Sequence, residues 1–150
     1  MINFSNVVET TVHKQVELAK PTNECTFRMR SEDTVYSLTC KVLAYKKQED
    51  DKDMHLIIQD LKTGEMMVAE LPSSDCMSIK KTSRYQQIKS LDEWFVENIG
   101  NPKFKYTYLQ KPILVHITGV GFFDTEHGQK GMANNGREIH PVLSIKLVKK

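Results

Sequence analysis

The sequence has few cysteines, no long apolar run and almost no charge imbalance, and each shortage removes a class of protein. Its three cysteines, Cys25, Cys40 and Cys76, form no C-x-x-C pair. That argues against a zinc ribbon or a thioredoxin-type dithiol and leaves at least one thiol unpaired. Apolar neighbours around Cys40 and Cys76 predict buried free thiols and no intrachain disulfide. No stretch approaches the ~18 apolar residues of a membrane helix. Twenty-one basic residues against nineteen acidic ones give a net charge of +2, too small an excess to mark a nucleic-acid binder by charge alone. The Walker A, dinucleotide-glycine, G-x-S-x-G and H-E-x-x-H patterns are missing, so the common nucleotide-binding, serine-hydrolase and metalloprotease classes lose their main sequence support. Residues 1–6 carry neither a basic nor an apolar signal region. The expected compartment is the cytoplasm, unless an export signal has been removed.

What is present suits one folded domain. The chain has 150 residues, 39% hydrophobic and 27% charged, enough to bury a core without disulfides or metal. Residues 1–34 are polar, weakly periodic and interrupted by Pro21, and read as an arm or linker with a short helix over 7–18. The folded body is expected over 35–150. In 35–45, Tyr36, Leu38, Cys40, Val42 and Ala44 alternate with Ser37, Thr39 and Lys41, the period of a half-buried strand. Further strands are expected over 54–59 and 65–71, the latter stopped by Pro72. Ile88, Leu91, Phe95 and Ile99 then recur at helical spacing beside Trp94, up to Gly100 and Pro102. A capping-box pattern at 90–93 competes with a start near Ser83. Two more strands follow over 112–120 and 139–148.

Three strands, a helix and two strands form an order that resembles the OB-fold: a mainly β, five-stranded antiparallel barrel with one helix between strands three and four. Closing the barrel removes long unpaired edges from water. An SH3-like barrel or an open α+β sheet are the alternatives.

The unusual segment is 119–141. It holds five of the seven glycines and two of the five histidines. Such glycines imply positive φ or close backbone approach, and a connection this long exceeds what a hairpin needs. Gly119-Val120-Gly121-Phe122-Phe123-Asp124, His127-Gly128-Gln129 and the stretch 135–141 resemble a signature of small uncharacterised bacterial proteins. Those proteins are similar earlier too, in a D-x-D-x-H-L pattern matched by Asp51, Asp53, His55 and Leu56, and in Glu70-Leu71-Pro72. The resemblance spans roughly 35–148 and implies a coherent domain, with no activity attached.

Glu138 and His140 share a strand parity, and Asp124 and His127 open the loop. His55, His127, Glu138 and His140 are therefore expected to line one polar pocket at the barrel end, with Glu70, Asp124 and Asn135 as further ligand-binding candidates. Imidazoles with carboxylates suit a divalent metal, with His55, His127, Glu138 and His140 as its ligands, or an oriented general base. The opposing account is that the polar residues only hold the loop in shape. Lys80, Lys81 and Arg84, around Tyr85, form a basic run that marks a candidate nucleic-acid contact, with Tyr36, Tyr45, Tyr106 and Tyr108 as stacking faces. The expected function is a binding module for single-stranded nucleic acid or a small ligand, without a membrane partner. The alternative is a metal-dependent phosphodiester hydrolase, by likeness of barrel order to the staphylococcal-nuclease barrel.

Overall fold

The computed structural model of the protein describes residues 1–22, 28–125 and 128–149. In chain order it forms β1 (Val7–Glu9), α1 (Val12–Val16), β2 (Val35–Lys47), β3 (Met54–Gln59), β4 (Met66–Leu71), α2 (Tyr85–Asn98), β5 (Thr107–Phe123) and β6 (Arg137–Leu147). The protein is mainly β, with six strands in one sheet among the described residues.

The alternation read in the sequence builds β2 as expected, and its buried parity supplies Leu38, Cys40 and Val42 to the core. β2 pairs with both β3 and β5, β3 with β4, β4 with β6 and β6 with β5, so five strands join in a closed circuit and β1 is appended to β2. Two corrections follow. The sheet has six strands where five were expected, and it is mixed where it was expected to be antiparallel. β4 runs parallel to β6, and β1 runs parallel to β2. Alternation within a strand reports which face is buried, and says nothing of a neighbour's direction.

The segment expected as an arm is built into the body. Val12 is fully buried in the core cluster. Gln15 is buried against Arg137, whose Nε donates to Gln15 Oε1 at 2.8 Å. His13 Nδ1 lies 2.6 Å from Glu65 Oε2, tying α1 to the β3–β4 turn. The strand is three residues long and the helix five, too short for any periodicity to show.

α2 begins at Tyr85, ahead of the capping-box pattern, and Ser90 Oγ donates back to the Gln86 carbonyl at 2.9 Å from inside the helix. Its buried face is Ile88, Leu91 and Phe95, with Phe95 edge-on to Tyr45 at 5.0 Å.

β5 starts at Thr107, five residues ahead of the expected position, and reaches Phe123. The passage from the end of β5 into β6 relies on glycines of two kinds. Gly136 has φ +72°, where a Cβ would also meet the Asp124 carbonyl oxygen at 2.4 Å. Gly121, on the strand, is a close approach: a Cβ there would lie 1.9 Å from Arg137 Nη2.

Candidate functional site

Along β3, Leu56 and Ile58 enter the core cluster, so His55 and Ile57 face the other way; on β4, Met67, Ala69 and Leu71 leave Val68 and Glu70 on that opposite face. Ile139 of β6 is a core residue, which puts Glu138 and His140 on the same side. This face is nonetheless buried, because residues 128–136 fold over it: a Cβ at Gly131 would lie 2.5 Å from Ile57. The result is a cleft of about 250 Å³ on the face opposite the core, beside the β2–β3 turn.

Glu70 lies at its centre. His55 is its Cα partner across the β3–β4 pair, and His55 Nε2 is hydrogen-bonded to Glu70 Oε1. The Gln48 side-chain amide donates to His55 Nδ1 at 2.7 Å, which leaves the ring proton on Nε2, facing the carboxylate. From β6, His140 Nδ1 donates to Glu70 Oε2 at 2.9 Å and lies 3.2 Å from Glu138 Oε1. Phe122 of β5 meets the His140 ring edge-on at 5.5 Å. Asp50, Asp51, Asp124 and Gln129 complete the rim.

Charge and burial act against each other here. Burial would raise the Glu70 carboxyl, but bonds from His140 and His55 outweigh it and bring it down to about 2. Burial would likewise lower His140, yet Glu138 and Glu70 hold its proton and push it up to about 10. Glu138 is raised, chiefly by burial. Asp53, at the start of the strand pair, is raised to about 6, again by burial. Donor atoms of Asp53, Glu70 and His140 all lie within 4.8 Å of one another, a spacing that one metal ion can span.

Of the expected site residues, the structure brings His55, Glu70, Glu138 and His140 together in one hydrogen-bonded set, with Asp124 on the same cleft. His127 lies outside the described residues. Asn135 belongs elsewhere: its amide donates to the Gln15 and Leu18 carbonyls, and its Oδ1 accepts from the Arg137 N–H, so it pins α1 to β6. Among the basic run, Lys80 and Lys81 stand exposed on a 3-10 turn, and the Arg84 guanidinium sits 4.1 Å from the Phe4 ring centroid. Tyr36 and Tyr45 are buried and offer no stacking face, a correction with two causes: Tyr36 lies on the core parity of β2, and the β-bulge between Val42 and Ala44 turns Tyr45 to the same side.

Sequence reasoning missed Gln48 and Gln129. Glutamine in a turn carries no signal of its own; the β2–β3 hairpin sets Gln48 beside His55, and the return to β6 brings Gln129 to the cleft. It also missed Arg137, 1% exposed, stacked against Phe123 at 4.6 Å, with one guanidinium nitrogen lacking a hydrogen-bond partner. The chain matches no family model, no curated protein and no solved structure.

Proposed function

We propose that this protein is a binding module whose acidic, histidine-bearing cleft holds a divalent cation. The observation that carries the reading is the shared carboxylate of Glu70, whose two oxygens engage His55 and His140, while Asp53, which lines the adjoining cavity that also contains His140, brings a donor within 4.8 Å of both Glu70 and His140. Five of the side chains lining the cleft are carboxylates, Asp50, Asp51, Glu70, Asp124 and Glu138, against two imidazoles. That balance favours a cation over a phosphate-bearing ligand. Mixed oxygen and imidazole donors suit zinc or manganese, and His55, which donates from Nε2 to Glu70, is an outer contact that orients the Glu70 carboxylate. The proton that His140 Nδ1 shares with Glu70 and Glu138 then occupies the place of the cation, and binding releases it.

The strand circuit β2-β3-β4-β6-β5, closing on β2 with α2 between β4 and β5, supports the reading of an OB-like barrel. The cleft residues Asp51, His55, Glu70, Asp124 and Glu138 fall within the segments that resemble the bacterial signature, which supports a common site in such proteins.

Calorimetric titration with Zn²⁺ and with Mn²⁺ tests the proposal. One equivalent should bind, and Asp53→Asn and His140→Ala should each weaken binding by at least tenfold while the far-ultraviolet spectrum is kept. Absence of binding by either ion, or equal binding by both variants, rejects it.

A further inference from the structure

The segment after α2 has a second character, independent of the cleft. Between Glu97 and Asp124 the sequence contains no acidic residue, and 103–111 reads Lys-Phe-Lys-Tyr-Thr-Tyr-Leu-Gln-Lys. In a chain with nineteen acidic residues, this stretch is all of one sign, with aromatic rings set between lysines.

The fold gathers more of the same beside it. The Lys47 N–H donates to the Lys103 carbonyl at 2.8 Å, which holds the segment along the end of β2. Lys46 Nζ and Lys130 Nζ then lie over the Tyr106 ring at 5.4 and 5.8 Å, and Lys52 Nζ over the Phe104 ring at 5.5 Å. Tyr108 pairs with Ala44 on β2 and is 60% exposed, and Phe104 is 49% exposed. Leu109, of the other parity, packs on the core, so Tyr108 is not a misplaced core residue. Asp50 and Asp51, in the adjoining turn, line the polar cleft.

Exposed rings normally cost solubility, and lysines alone are served by any solvated face. Rings and ammonium groups alternating on one surface have a common ligand. A single strand of nucleic acid offers unpaired bases to stack on the rings and phosphates to pair with the lysines. A duplex hides its base faces, an acidic peptide uses the lysines without the rings, and an anionic membrane takes both but without a spacing that matches successive bases. We propose that the surface formed by Lys103, Phe104, Lys105, Tyr106 and Tyr108, with Lys46, binds single-stranded DNA or RNA. This moves the nucleic-acid contact away from Lys80, Lys81 and Arg84, where one exposed ring, Phe4, lies against Arg84 but rings and lysines do not alternate along the chain as they do over 103–108.

Fluorescence anisotropy with a labelled oligothymidylate of about 20 nucleotides tests it, at about 50 mM salt and upward. Affinity should fall with salt at a slope near ~0.7 per phosphate contacted. Tyr108→Ala and Phe104→Ala should each weaken binding about tenfold, the scale of one lost stacking contact, and Lys80→Ala should leave it unchanged. Both rings are solvent-exposed, so the variants fold, and their circular dichroism checks this. No binding at about 50 mM salt overturns the proposal. So does equal affinity for duplex DNA, polyglutamate or vesicles of anionic phospholipid, or binding that survives loss of both rings. A failure of metal binding in the cleft leaves this result untouched, and the reverse also holds.

Discussion

His55 and Glu70 are direct partners across the antiparallel β3–β4 pair, and both are buried on the face that points away from the core. A carboxylate in that position has lost its water and needs protons from its neighbours. It receives one from His55 on its own ladder and one from His140 on the parallel strand β6. The pair therefore links three strands beneath residues 128–136.

Removing the shared acceptor should be costly. Glu70→Gln leaves two imidazoles with a poorer partner in a buried site, and unfolding in urea should show a loss of about 3 kcal/mol, the scale for breaking one side of a buried ion pair. A change below about 0.5 kcal/mol would show that the network contributes nothing to the fold.

The same network sets a pH dependence with a definite sign. The folded His140 pKa, raised from 6.5 to about 10, means that its stabilisation is complete below about pH 6.5 and is lost as pH climbs toward 10. Glu70, lowered from 4.5 to about 2, acts at the other end: its share is complete above about pH 4.5 and is lost on acidification toward 2. Asp53, raised from 3.8 to about 6, loses its share as pH rises through that range, in the same direction as His140. Urea midpoints of the wild type should therefore decline between about pH 6.5 and 10, and His140→Gln should flatten that decline. Parallel curves for the two proteins would contradict the assignment.

Gly121→Ala should destabilise through contact alone. Its Cβ would meet Arg137 Nη2 at 1.9 Å and the Ser31 carbonyl oxygen at 2.6 Å, in a place where the guanidinium is already fixed by Gln15 and Ser31. The expected loss in urea unfolding is about 2 kcal/mol or more, as for an overpacked core. A neutral result would mean that Arg137 swings free.

The two described cysteines should react in a fixed order. Cys40 is buried on β2, and burial pushes its thiol up to about 12. Cys76 is half-buried, and its hydrogen bond with Ser78 lowers its thiol pKa. Timed alkylation followed by peptide mass mapping should label Cys76 in the native protein and Cys40 only after unfolding. Native labelling of Cys40 at a comparable rate would be inconsistent with its place in the core.

Much of the fold was legible because periodicity is a local property. Leu38, Cys40 and Val42 declared one face of β2, and Ile88, Leu91 and Phe95 one face of α2, since burial of a single side forces apolar residues to recur at 2 or 3.6. The same rule put Glu138 and His140 together. The glycines of 119–141 announced an irregular return, and Gly136 and Gly121 bear out its two expected causes.

What only the tertiary structure decided is whatever depends on residues far apart in the chain. The parallel pairing of β4 with β6, the burial of Val12 and Gln15, and the removal of Asn135 from the site all rest on contacts between distant segments. Glu70 is the clearest case. Its sequence neighbourhood suited an exposed strand carboxylate equally well, because alternation tells which residues share a face and not what covers that face. Residues 128–136 cover it, and His140 arrives from the last strand. By itself the sequence determined five of the six described strands, the longer helix and the identity of most polar candidates; the closing of the sheet determined which of them meet, since a hydrogen bond requires about 3 Å and no local pattern encodes that distance.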